Sequence, residues 1–269
     1  SVKHYTSTKG QGMSLSIDLS GKKGIVLGMA NDQSIAFGCA MALRQAGAQL
    51  CISYQNEKAR PHVAPLAEQL EAEIFQACDV AKAGELEALF SAAGERWGSI
   101  DFVVHSIAWS PLDELHGRLL DSSAGGFARA MDISCHSFVR AARLAEALMP
   151  TGGCLLSMSY YGAEKVVDHY NMMGPVKAAL ESSVRYLAAE LGGKNIRVHA
   201  LSPGPMPTRA ASGIAHFDQL MDSSIARAPL HRLGTPADVG AMAAFLVSDL
   251  AANLTGGTHY VDAGDHIMA

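Results

Sequence analysis

The chain predicts a doubly wound α/β domain, an open parallel sheet of about seven strands with helices on both faces. Short apolar runs alternate with helical stretches from Gly24 to Ala263, the pattern of repeated βαβ units. At 269 residues, 49% hydrophobic and 17% charged, the chain can bury one large core. No internal repeat, low-complexity tract or linker divides it, so a second domain is not expected.

The elements follow in order. The apolar run Gly24–Leu27 reads as the first strand, and Gly28 to Gly38 as a loop that opens the helix Ile35–Gln45. A pyrophosphate at that opening would meet free N–H groups and the positive helix end. Gly28 permits a sharp turn, Ser34 and Ile35 stand at the helix mouth, and Ala36 and Gly38 would let the helix approach the sheet. The loop lacks the G-x-G-x-x-G spacing, so a plain strand-turn-helix competes with nucleotide binding.

The second strand, Gln49–Tyr54, ends in Gln55-Asn56-Glu57, where a dinucleotide fold reads the adenosine ribose. Gln55 can bond a free 2′-hydroxyl and offers no cation to a 2′-phosphate, which favours NADH; Lys58 and Arg60 nearby keep NADPH open. After a helix over Val63–Leu70 comes the strand Ile74–Ala77, with Asp79-Val80 beyond it. Asp79 could accept from the adenine amino group or cap the next helix, Ala83–Trp97. The fourth strand, Phe102–His105, runs into Ser106-Ile107-Ala108, small enough to let a cofactor cross the sheet edge. Gly126–Leu148 reads as one helix, Gly153–Met158 as a strand, Val176–Leu191 as a helix stopped by Gly192-Gly193, and Arg197–Leu201 as the sixth strand. Pro236–Ser248 and His259–Val261 complete the pattern. Between them, residues 208–228 are rich in small residues ahead of an amphipathic segment and suit a mobile lid, with a fixed surface helix as the plain alternative.

Composition excludes several classes. A net charge of −5 argues against nucleic acid as a main partner. Neither a membrane span nor a signal-peptide pattern is visible, so a cytoplasmic protein is expected. The five cysteines are scattered among apolar residues, which suits reduced core thiols. Eleven histidines show no metal-ligand spacing, and no metal is expected. Ser1–Gly12 is polar and reads as a disordered tail or a foreign remnant, leaving 13–269 as the domain.

The most informative residues are Tyr170 and Lys177. Two turns of helix span about seven residues, which would set a phenol and an ammonium on one face to meet one ligand. The phenol can donate to an oxyanion and the lysine can hold a ribose hydroxyl. Taken alone, such a pair on an amphipathic helix is usually accidental, and context has to decide.

Context is supplied by Gly28 with Ser34-Ile35-Ala36-x-Gly38, Tyr54-Gln55-Asn56, Asp79-Val80, Ser106-Ile107, Asp132-Ile133-Ser134, Ser159-Tyr160 with Gly162-Ala163-Glu164, Tyr170-Asn171-x-Met173-Gly174-x-x-Lys177 and Ala210-Ala211-Ser212-Gly213-Ile214. Together, from about Leu19 to the C-terminus, these resemble the bacterial NADH-dependent enoyl-acyl-carrier-protein reductases, a divergent branch of the short-chain dehydrogenases with a Rossmann-like sheet. In that family six residues separate the tyrosine from its lysine. A decoy, Tyr161-Gly162-Ala163-Glu164-Lys165, satisfies the ordinary Tyr-x-x-x-Lys spacing. Ordinary members place a serine about a dozen residues before the tyrosine; Ser157 stands thirteen before Tyr170 but only four before Tyr161, which favours Tyr170.

The resemblance implies hydride transfer from NADH to the β-carbon of a trans-2-enoyl thioester in fatty acid biosynthesis, with Tyr170 stabilising the enolate oxygen and Lys177 anchoring the nicotinamide ribose. It assigns Tyr160 to a second phenol lining the acyl pocket, Thr208 to the pyrophosphate and Met206 to the nicotinamide amide. Tyr160, Tyr170, Met173, Ala210, Ile214 and Phe217 are the implied substrate contacts. Pro203 and Pro207 depart from the alanine and arginine frequent there and stiffen that loop. An acidic acyl carrier protein is the implied partner, met by a basic patch from Arg209, Arg227 or Arg232, and a homotetramer is implied. The rivals are a carbonyl-reducing short-chain dehydrogenase and a non-catalytic dinucleotide sensor; a serine hydrolase lacks its Gly-x-Ser-x-Gly.

Overall fold

The structure, a computed structural model, describes residues 16–208 and 216–268. The tail before Met13 and the candidate contacts Arg209, Ala210 and Ile214 lie outside the described residues. Seven parallel strands form one sheet in the order β3-β2-β1-β4-β5-β6-β7. They are β1 (Lys23–Leu27), β2 (Gln49–Tyr54), β3 (Ile74–Ala77), β4 (Phe102–His105), β5 (Gly153–Met158), β6 (Ile196–Pro203) and β7 (Thr258–Val261). The strand order reverses between β1 and β4, and the crevice beyond the C-terminal ends of those strands is where such sheets bind ligands.

Helices α1 (Ile35–Gln45), α2 (Arg60–Gln69), α3 (Glu85–Trp97), α4 (Leu112–His116), α5 (Ala124–Met131), α6 (Ser137–Leu148), α7 (Met173–Leu191), α8 (Phe217–Arg227) and α9 (Pro236–Val247) cover the sheet. Two apolar cores result, one on each face. Val103, Leu155, Val198 and Ala200 point toward α3, α6 and α7, while Val26, Leu156 and Leu201 point toward α1 and α9. The alternation along each strand follows from the period of two in side-chain direction.

Three expectations are corrected. The single helix expected over Gly126–Leu148 is two, α5 and α6, joined by a π turn at Asp132–His136. Its cause is tertiary: buried Ser134 accepts from the Trp109 N–H at 2.8 Å and donates to the Trp109 carbonyl at 2.9 Å, tying the helix to the loop after β4. Gly38 serves a helix contact rather than an approach to the sheet, since a Cβ there would lie 2.2 Å from the Pro236 carbonyl of α9. Asp79 is not a helix cap: α3 begins at Glu85 behind Gly84, and the Asp79 carboxylate instead accepts from the Ala81 N–H at 3.0 Å.

Candidate active site

The crevice at the switch point is built from the ends of β1 and β4. Gly28 has φ +94°, and a Cβ there would stand 2.0 Å from the Ser106 carbonyl, so only glycine lets the two loops close on each other. The Ser34 hydroxyl is spent inside the loop: it accepts from the Ala30 and Asn31 N–H groups, each at 3.0 Å, and donates to Asn31 Oδ1. That bracing leaves α1 with no side-chain cap, and its first N–H groups, on Ile35 and Ala36, open at the helix mouth. Gln55 is exposed beyond β2, Val80 is buried at 4%, and Ser106 and Ile107 are half-buried beside exposed Ala108.

Behind the crevice, β4 carries a buried polar link. His105 lies between Ser157 Oγ, 3.0 Å from Nδ1, and Ser137 Oγ, 2.7 Å from Nε2. Because Ser137 spends its proton on the Ile133 carbonyl at 2.6 Å, it accepts from His105 Nε2–H, and Nδ1 accepts from Ser157. Burial, reinforced by the Lys177 charge, holds this imidazole neutral, with its pKa pushed down to about 3. Ser157 therefore serves the sheet interior and does not face a substrate.

The candidate catalytic residues gather at the end of β5. Lys177, 3% exposed on α7, donates from Nζ to the Met158 carbonyl at 2.6 Å. Tyr160 packs edge-on against Tyr170, with ring centroids 4.7 Å apart. Neither hydroxyl has a hydrogen-bond partner among the described residues. Burial, with a contribution from Tyr160, raises the Tyr170 phenol well above its ordinary range; burial first and Asp265 second push Tyr160 up to about 12. Burial lowers Lys177 to about 8 against the opposing pull of Cys135 and Glu181. One carbonyl bond does not offset the loss of water around the ammonium.

The expectation that Tyr170 and Lys177 share one helix face is corrected. Helix α7 starts at Met173, and Tyr170 sits in the preceding turn between His169 (φ 62°) and Asn171 (φ 41°), left-handed residues that no helix continues through. Asn171 Nδ2 ties that turn to the Leu115 carbonyl at 2.6 Å. The two residues converge all the same, because each packs on the end of β5. Gly162 makes room: a Cβ there would stand 2.4 Å from Tyr170 Cδ1. The decoy is built differently. Tyr161 lies in a short 3₁₀ turn, Tyr161–Ala163, and Lys165 is exposed.

Met206 is buried at 2%, Met173 at 4%, and Phe217 is half-buried at the start of α8. Arg227 is no free basic anchor, since Nε and Nη2 reach the two Asp265 oxygens at 2.6 and 2.9 Å, and Ser224 adds a third bond to the same carboxylate at 2.7 Å. Arg232 stays exposed. The sequence reading quoted Ser159 in a motif without giving it a role and missed Glu181; their buried side chains bond at 2.5 Å behind Tyr160. The signal was available: Glu181 lies one helical turn beyond Lys177.

The five cysteines are buried free thiols. Among the described residues no cluster of metal-ligating side chains occurs, and no helix is long and apolar enough to cross a membrane.

Comparison with known proteins agrees with this arrangement. The profile of the family described as Enoyl-(Acyl carrier protein) reductase matches residues 28–266. Among curated relatives, "Enoyl-[acyl-carrier-protein] reductase [NADH] 1" of Rhizobium meliloti is 49% identical over 93% of this chain and 92% of its own length; "Enoyl-[acyl-carrier-protein] reductase [NADH] FabI" of Rickettsia bellii is 46% identical over 93% and 95%. Among solved structures, the reductase of Anaplasma phagocytophilum in complex with NAD superposes with a TM-score of 0.90 at 47% identity, covering 93% of this chain and 96% of that one. The Bacillus cereus enoyl-acyl carrier protein reductase with NADP+ and indole naphthyridinone gives 0.91 at 43% identity, covering 93% and 98%. With the family profile matched over residues 28–266 and relatives close to half identical over more than nine-tenths of the chain, this protein belongs to the enoyl-(acyl carrier protein) reductase family.

Proposed function

We propose that this chain reduces trans-2-enoyl thioesters carried on acyl carrier protein, in fatty acid biosynthesis, with NADH as reductant and with Tyr170 and Lys177 as the catalytic pair. The observation that carries the reading is the end of β5, where the buried Lys177 ammonium donates to the Met158 carbonyl at 2.6 Å and the buried Tyr170 ring meets Tyr160 at 4.7 Å. The residues present fit a dinucleotide. Lys177 spends one N–H on Met158 and keeps two, Ile35 and Ala36 offer amides toward a pyrophosphate, and Gln55 suits a free ribose hydroxyl.

Bound NADH supplies the hydride for the substrate β-carbon. What the chain contributes is charge stabilisation. As the electron pair moves onto the thioester oxygen, the Tyr170 hydroxyl donates to it, and a donor with no competing partner among the described residues needs no rearrangement when that charge develops. Lys177 holds the nicotinamide ribose and lends a positive field that low surrounding polarity strengthens. Tyr160, Met173 and Phe217 form the acyl pocket, the roles of Ala210 and Ile214 resting on the family resemblance alone, and Gly28, Ser34, Asp79, Val80, Ser106, Ile107, Ala108, Met206 and Thr208 line the cofactor. The protein works in the cytoplasm as a homotetramer, with neither nucleic acid nor membrane as a partner.

One assay tests the reading: NADH and NADPH oxidation side by side with a crotonyl and a longer trans-2-enoyl thioester, against a 3-oxoacyl thioester. Enoyl reduction with NADH is the expected result. Reduction of the 3-oxoacyl thioester without enoyl activity overturns it in favour of an ordinary carbonyl reductase.

A further inference from the structure

We infer that Glu181, acting through Ser159, is a positioning residue for the reaction: the pair bolts the end of β5 to α7, fixing Tyr160 against Tyr170 and the Met158 carbonyl under Lys177. The inference rests on the assignment of Tyr170 and Lys177 proposed above. Three successive residues are gripped from one side. Met158 takes Lys177 Nζ on its carbonyl at 2.6 Å, Ser159 donates from Oγ to Glu181 Oε1 at 2.5 Å, and the Tyr160 ring meets Tyr170 at 4.7 Å. The Ser159 N–H adds a bond to the Leu201 carbonyl at 2.6 Å. Lys177 and Glu181 stand one turn apart, so they reach adjacent residues of the strand end from one face of α7.

Packing alone does not account for the pair. Ser159 is 4% and Glu181 5% exposed, and a hydroxyl and a carboxyl buried there cost more than apolar side chains of the same shape. What the polar pair adds is direction: a short hydrogen bond fixes one position of the strand end, whereas an apolar contact tolerates sliding. The Ser159 hydroxyl donates, so what the bond calls for on Glu181 is an acceptor oxygen. Glutamine supplies that oxygen.

The test uses the full-length protein with NADH and a crotonyl thioester. Ser159→Ala and Glu181→Leu should each lower kcat about tenfold or more, with KM for the thioester and NADH affinity, read by quenching of protein fluorescence, moving less than about threefold. Glu181→Gln should keep kcat within about threefold of the parent. Parent-like kcat in both Ser159→Ala and Glu181→Leu overturns the inference. So does a Glu181→Gln loss as deep as that of Glu181→Leu, which would make charge the active property, or a rise in KM at constant kcat. If Glu181→Leu fails to fold, Ser159→Ala, a smaller change, decides alone. Tyr170→Phe runs in parallel: if it is silent the catalytic assignment fails, and if it is crippled while Ser159→Ala is silent, only the positioning role fails.

Discussion

Raising the pH should switch off Lys177 before any other proposed catalytic group. Burial brings its pKa down to about 8, so its cationic form is half lost there, about nine-tenths lost at pH 9 and about 99% lost at pH 10. The shift from the ordinary 10.5 corresponds to about 3 kcal/mol favouring the neutral amine, which is the desolvation that a single Met158 carbonyl leaves uncompensated. Tyr170 moves the other way, and its raised pKa keeps the phenol protonated across the same range. The expected profile of kcat/KM for NADH is therefore flat below about pH 7.5 and falls about tenfold per unit above about pH 8.5. Measured at low NADH, this ratio reports the free enzyme, before cofactor charge perturbs the lysine. Lys177→Arg, which stays charged throughout, should run more slowly but lose the alkaline fall, whereas Tyr170→Phe should run more slowly and keep it. A profile flat to pH 9.5 in the parent, or an unchanged alkaline limb in Lys177→Arg, would refute the reasoning.

Tyr170→Phe should lower kcat by about 10- to 100-fold while NADH affinity changes little, and Tyr161→Phe should be near neutral; the reverse pattern in steady-state kinetics makes the decoy the true site. Gln55→Arg should shift the ratio of catalytic efficiencies toward NADPH, and a parent enzyme that already prefers NADPH tenfold, about 1.4 kcal/mol, sinks the ribose reading. His105 is held neutral in the fold at a pKa of about 3 against 6.5, so the unfolded chain binds more protons between those values and stability falls as pH drops through that window. At pH 5 its share of the loss is about 2 kcal/mol, and urea midpoints at pH 7 and pH 5 should differ correspondingly less in His105→Asn than in the parent. Amide exchange should slow in the first turns of α8 when NAD and an enoyl analogue bind together, but stay slow throughout near Ser224 and Arg227, which Asp265 anchors. Uniformly fast exchange across α8 in the free protein contradicts that anchoring.

Sequence and structure agree where a local rule decides the outcome. β2, β3, β4 and β5 coincide residue for residue with the runs that announce them; for β2, β4 and β5 the reason is that strands covered on both faces write nearly continuous hydrophobic stretches, while β3 is a half-buried edge strand. α1 likewise begins and ends where expected, at Ile35 and Gln45. Agreement fails where a distant partner intervenes. The amphipathic pattern through Asp132–His136 carries no mark of the π turn, which depends on a Ser134 bond to Trp109 across 25 residues. Arg227 reads as a free cation until Asp265, 38 residues on, accepts from its Nε and Nη2.

The catalytic spacing shows how a correct residue choice can rest on an incomplete geometric reason. Helical periodicity brings Tyr170 and Lys177 together on paper, yet the left-handed residues His169 and Asn171 keep Tyr170 out of the helix. What unites the pair is the end of β5, which offers Lys177 a carbonyl and Tyr170 the ring of Tyr160. A six-residue interval fits that arrangement because the extra residues, relative to the ordinary three, form the turn that sets the phenol beside Gly162. The same arrangement explains why the decoy is poor chemistry despite its familiar spacing: Lys165 is exposed to water, where an ammonium keeps its full hydration and exerts a weak, screened field. Burial, more than spacing, separates the two tyrosine-lysine pairs, and burial is a property of the folded sheet that no local interval records.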